Sequence, residues 1–74
     1  MIPNTGDLLE IDSAASVQFG VRPIRFRVTK VHAWAASDGW LWMDGYELDA
    51  HGNAVVKRTV FVRTSGLRRA SGTR

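Results

Sequence analysis

At 74 residues, 45% of them apolar and 23% charged, the chain has room for one domain and a composition able to fold. It contains no cysteine, which excludes a disulfide framework, a thiolate metal site and a cysteine nucleophile. The net charge of +3 conceals an alternation, −3 over residues 1–20, +4 over 21–31, −4 over 38–49 and +6 over 57–74, of the kind that pairs charges between neighbouring strands.

The first predicted element is a strand over Gly6-Asp7-Leu8-Leu9-Glu10-Ile11, with Leu9 and Ile11 on one side and Leu8 and Glu10 on the other. Asp12-Ser13-Ala14-Ala15-Ser16 is small and polar and reads as a loop. Val17-Gln18-Phe19 reads as a short strand or a packed corner of that loop, before Gly20 and Pro23 punctuate the chain again. Ile24-Arg25-Phe26-Arg27-Val28 alternates strictly, predicting a strand with Ile24, Phe26 and Val28 inward and Arg25 and Arg27 outward. Beyond Thr29-Lys30 the apolar parity moves to Val31 and Ala33, so a β-bulge is expected near Thr29.

Ala35-Ala36-Ser37-Asp38-Gly39 is predicted to be a hairpin loop on the strength of its Asp-Gly dipeptide. Trp40, Trp42, Tyr46 and Leu48 then share one parity and Leu41 and Met43 the other, predicting a central strand buried on both faces. Asp44-Gly45 within it marks a second bulge or a close backbone approach. Asp49-Ala50-His51-Gly52-Asn53 is the next turn, and residues 54–63 form a further strand with the same two-sided apolar pattern. Thr64-Ser65-Gly66-Leu67-Arg68-Arg69 predicts one helical or 3₁₀ turn capped by Thr64 or Ser65. Residues 70–74 read as a flexible tail after one domain over 1–69.

These elements compose an all-β fold, a small SH3-like antiparallel barrel of about five strands with a short helical turn near the C-terminus. A curled three- to four-stranded sheet stabilised by dimerisation is the competing architecture. The motifs in residues 6–11, in Ala15-Ser16-Val17-Gln18-Phe19 and in Asp38-Gly39-Trp40-Leu41-Trp42-Met43-Asp44-Gly45-Tyr46 together resemble a group of small uncharacterised actinobacterial proteins, over most of the chain. That resemblance implies a bacterial, cytoplasmic, single-domain protein and carries no site residues with it. The N-terminal residues lack the basic and apolar regions of a secretory signal, and no apolar run is long enough to cross a bilayer.

Catalysis is not expected. His32 and His51 are the only histidines, no Ser-His-Asp grouping is indicated, and no glycine-rich phosphate loop is present, so neither cofactor, metal nor small-molecule substrate is implied. Eight of the ten cations are arginine, the side chain suited to bidentate recognition of phosphate. The leading expectation is therefore a non-enzymatic nucleic-acid-binding module. In it Arg25, Arg27, Arg63, Arg68 and Arg69 follow the backbone while Trp34, Trp40 or Trp42 stacks on a base. The acidic block over 38–49 opposes phosphate unless it lies on another side. A protein-interaction or homodimerisation module is the alternative, because Trp and Arg also anchor protein interfaces.

Overall fold

The strict alternation after Pro23 opens the longest element of the structure, a computed structural model describing residues 2–20 and 22–70, with the side chains of 33–37 outside that description. Five strands form one antiparallel sheet: β1 (Leu8–Ile11), β2 (Ile24–Ser37), β3 (Trp40–Leu48), β4 (Ala54–Arg63) and β5 (Arg68–Arg69), in the order β4-β3-β2-β1-β5. Two 3₁₀ turns, Val17–Phe19 and Thr64–Gly66, are the only helical elements among the described residues. The arrangement is the expected all-β fold of five antiparallel strands, with the second 3₁₀ turn leading towards the last strand.

The sheet curls about a single core. Leu9 and Ile11 of β1 share that core with Val60 and Val62 of β4, although β2 and β3 separate the two strands in the sheet. Phe26, Val28, Leu41 and Met43 fill the space between them. Ile24, Phe26 and Val28 are buried, and the register of β2 against β3 slips between Val28 and Lys30, so the bulge expected near Thr29 is present. It returns Val31 to the core side, opposite Met43.

Two expectations change. The chain stays in β2 through Ser37, and the turn to β3 contains Asp38 and Gly39 alone, both with positive φ (52° and 83°). The twist of two paired strands selects that geometry, and Asp-Gly meets it, so the adjoining Ser37 pairs with Trp40. A second irregularity accompanies this: from His32 to Ser37, β2 advances five residues while β3 moves two, from Trp42 to Trp40. The other change concerns burial. Neither β3 nor β4 is buried on both faces: Leu41, Met43, Val60 and Val62 point into the core, whereas Trp42 and Phe61 are each 38% exposed. In a 74-residue chain one core suffices for one side of the sheet, and among the described residues nothing covers the other.

At Gly45, β3 lies close against β2. A Cβ there would lie 2.6 Å from the Phe26 ring and nearer still to the Arg27 carbonyl oxygen, which is the close approach expected at Asp44-Gly45. Where β4 passes into the second 3₁₀ turn, the backbone is tied to the loop after β1 and to the β2–β3 turn. The Arg63 N–H donates to the Ala15 carbonyl (2.8 Å) and the Thr64 N–H to the Gly39 carbonyl (2.7 Å). The cap position of that turn is Arg63, with no side-chain cap bond, because the Thr64 hydroxyl donates to Gly39 instead (3.1 Å). Val17-Gln18-Phe19 proves to be the first 3₁₀ turn, capped by Ser16, with Phe19 buried. Ala70 is buried and donates its N–H to the Leu8 carbonyl (3.0 Å), so the packed chain extends one residue into the expected tail. Residues 71–74 lie outside the described residues.

Three carboxylates are held below their ordinary value of 3.8. For Asp7 the main cause is the Asn4 backbone N–H; for Asp44, the Thr59 hydroxyl followed by His32; for Asp49, the backbone N–H groups of Asn53 and His51. A carboxyl depressed in the folded state contributes stability that is present above its unfolded value and lost as the pH falls through the folded one. The urea midpoint is therefore expected to hold between about pH 7 and pH 5 and to drop by about pH 2.5. A midpoint unchanged at the acidic end would show that these hydrogen bonds do not persist in solution.

A candidate recognition face on the outer side of the sheet

The strand registers fix which side chains meet on the uncovered face. Directly opposed residues of an antiparallel pair share a face, so the Cα partners can be taken row by row across the sheet. Trp40 faces Arg63; His32, Trp42 and Phe61 form the next row; Lys30, Asp44 and Thr59 the third; Arg27, Tyr46 and Lys57 the fourth. The face thus changes character along β3, aromatic at the Trp40 end and cationic near Tyr46.

At the aromatic end Phe61 sits between the two tryptophans. Its ring centroid is 5.1 Å from that of Trp40, at 20° between planes, and 5.0 Å from that of Trp42, at 36°. Offset stacks at this spacing hold the rings at fixed attitudes, and each such pair contributes about 0.5–1.5 kcal/mol beyond area burial. The Arg63 guanidinium carbon lies 5.1 Å from the Trp40 ring centroid, a cation–π contact. Tyr46, 37% exposed, adds a fourth ring further along. Trp40 and Arg63 also wall a recess of about 220 Å³ against residues 13–17.

The third row is polar and locked. Asp44 accepts from the Thr59 hydroxyl (2.7 Å) and meets His32 Nε2 at 2.9 Å. The same two partners depress its pKa, so the one carboxylate in these rows is ionised and engaged. The acidic block over 38–49 is largely committed in this way. Glu47 pairs with Arg58 Nε (2.7 Å), and Asp49 Oδ1 accepts from the N–H groups of His51 (2.8 Å) and Asn53 (2.9 Å).

The sequence-predicted site residues divide. Trp40, Trp42 and Arg63 are brought together in the first two rows. Arg27 lies in the fourth row, with Nη1 donating to the Gly6 carbonyl (3.3 Å), and Arg25 precedes it at the start of β2. Arg68 and Arg69 are on β5, at the far edge of the sheet, against carboxylates: Arg68 Nη2 lies 2.7 Å from Asp12 and 3.3 Å from Glu10, and Arg69 Nη1 lies 3.2 Å from Asp7. The Trp34 side chain lies outside the described residues. Sequence reasoning did not single out Phe61, the ring that organises the others. Its only signal was a place between two valines in a strand whose neighbours on both sides read as buried.

Among the described residues no group of three His, Cys, Asp or Glu side chains is arranged to hold a metal ion, and no helix is long and apolar enough to cross a membrane. No protein-family model, curated protein or solved structure matches the chain.

Proposed function

We propose that the protein is a non-enzymatic binding module that holds a single-stranded nucleic acid along the outer face of β2, β3 and β4. The observation carrying this reading is the half-exposed Trp40-Phe61-Trp42 stack with Arg63 against it. Rings held rigid by one another present stacking surface at little entropic cost, and every base has a face to lay on them. Arg63 at one end and Arg27 and Lys57 at the other supply cations for the backbone, while Arg68 and Arg69 stay with their carboxylates. Duplex is a poorer ligand, because its bases already stack on each other. The cytoplasmic location expected from the sequence suits such a ligand.

Tryptophan fluorescence tests this directly. Titration with a mixed single-stranded oligonucleotide is expected to give saturable quenching whose log K falls linearly with log salt, with about 0.7 of slope lost for each phosphate contact removed. Arg27→Ala combined with Lys57→Ala is expected to flatten that slope by about 1.4. A salt-independent affinity sinks the proposal.

A protein partner is the second reading, and β4 favours it. The strand is ten residues long, lies at the sheet edge and carries Val55 (57% exposed) and Val56 (41% exposed). An edge of this kind can add a strand from another chain, including a second copy. That reading predicts a melting temperature rising with protein concentration and no response to oligonucleotides.

A further inference from the structure

The cationic end of the outer face runs into a groove of about 440 Å³, walled on one side by Arg22, Pro23, Ile24 and Arg25 and on the other by the β3–β4 turn. A second recess of about 230 Å³ shares the Arg22, Ile24 and Glu47 wall and adds Phe19 and Arg58. Two carboxylates line the groove, and both are occupied. Glu47 pairs with Arg58, which also lies over the Phe19 ring (5.9 Å), and Asp49 holds the backbone of its own turn. Across the sheet from Arg25 stands Glu10, whose carboxylate lies 3.3 Å from Arg68. Among the described residues, then, Arg22 and Arg25 make no ion pair, and they border a groove that is partly open to solvent.

Two guanidinium groups without counter-charges, side by side at one groove, suit a compact, doubly charged head presenting several acceptor oxygens. The position of the groove narrows the source. From Trp40 to Leu48, β3 covers eight residue steps, about 26 Å. The stacking end and the groove are therefore the two ends of one track, joined by the Arg27-Tyr46-Lys57 row.

We infer that Arg22 and Arg25 bind the terminal phosphomonoester of the strand whose bases stack on Trp42 and Phe61. This rests on the single-strand reading above. A phosphodiester within a strand carries one charge, which leaves one of the two guanidinium groups without a counter-charge. A terminal phosphate carries up to two charges and stops there. Because the strand lies in one direction on the track, only one of its two ends reaches the groove.

The test is fluorescence titration with one oligonucleotide of about six nucleotides, inside the usual footprint of a small β module, prepared with a 5′-phosphate, with a 3′-phosphate and with hydroxyls at both ends. One phosphorylated form is expected to bind about tenfold more tightly than the hydroxyl form, the increment of one charge-assisted contact pair. That ratio is expected to fall to about 1 in Arg22→Gln/Arg25→Gln, to be partly kept in Arg22→Lys/Arg25→Lys, and to survive in Arg68→Gln/Arg69→Gln. Equal gains from both phosphates, or an equal loss in the Arg68/Arg69 variant, assign the effect to overall charge and overturn the inference while leaving the single-strand reading intact. Inorganic phosphate that abolishes the end preference at micromolar concentration makes the groove a free-phosphate site and overturns it as well. If none of the three oligonucleotides binds, the parent reading falls and takes this one with it.

Discussion

Replacing Gly66 with alanine is expected to lower the melting temperature by roughly 12 to 24 °C, the shift that a loss of about 3 kcal/mol produces in a domain of this size. The added Cβ would fall on the backbone of Ala14, 2.6 Å from the Ala15 nitrogen and closer still to the Ala14 carbonyl. Neither side can yield cheaply. The neighbouring Ala15 is buried, its carbonyl is held by the Arg63 N–H, and Leu67, one residue on, is part of the core. A chain of 74 residues has on the order of 4 to 11 kcal/mol of stability to lose, so this substitution removes a large share of it. Gly52→Ala is the control. Gly52 has φ +84°, but a Cβ added there would meet no atom within 4 Å, so only backbone strain of about 1 kcal/mol is added. Thermal melts by circular dichroism decide between them. If Gly52→Ala proved the more damaging, the packing of the second 3₁₀ turn on residues 14 and 15 would be wrong.

The largest functional effect is expected from Trp42→Ala combined with Phe61→Ala. Base–aromatic stacking contributes about 1–3 kcal/mol per base, so losing two platforms weakens single-strand binding by on the order of 10²- to 10⁴-fold. Both side chains are 38% exposed and outside the core, so the variant is expected to remain folded at 25 °C, with an unchanged far-ultraviolet spectrum. Trp40 remains as a reporter, and polarisation of a labelled oligonucleotide provides a readout independent of it. Loss of less than a factor of ten in a folded variant removes the aromatic rows from the binding site and leaves the edge of β4 as the candidate surface.

Much of the fold was legible because alternation survives wherever one face is buried. Ile24, Phe26 and Val28 announced β2, and the parity change after Thr29 announced its bulge. Alternation says which residues share a face without saying whether anything covers it. Leu41 and Met43 shared one parity and Trp40 and Trp42 the other, and both sets were apolar enough to be core. The volume inside one small curled sheet decides between them, and that depends on residues far away in sequence. Leu48 shows the limit in another way: it shares parity with Trp42 and stands opposite Arg25, yet it is buried, outside the main core cluster. The charge blocks anticipated cross-strand pairing, which Arg58 with Glu47 and Arg68 with Glu10 now display. Which arginines stay unpaired followed only from the return of β5 to β1, and no local pattern encodes that return.

That return also sets an order of events. The β2–β3 and β3–β4 pairings join neighbours in sequence through short turns, whereas the β5 clasp brings together Leu9 and Arg69, 60 positions apart, over two residues. Loop closure of that length has an entropic cost before any contact compensates it, so the clasp is the last pairing to form and the first to open. Substitutions there accelerate unfolding and leave the folding rate nearly untouched. The amide of Ala70 therefore exchanges with solvent through a smaller opening than the amides of Met43 or Val60, and the sheet has a seam at which it comes apart while its centre is still intact.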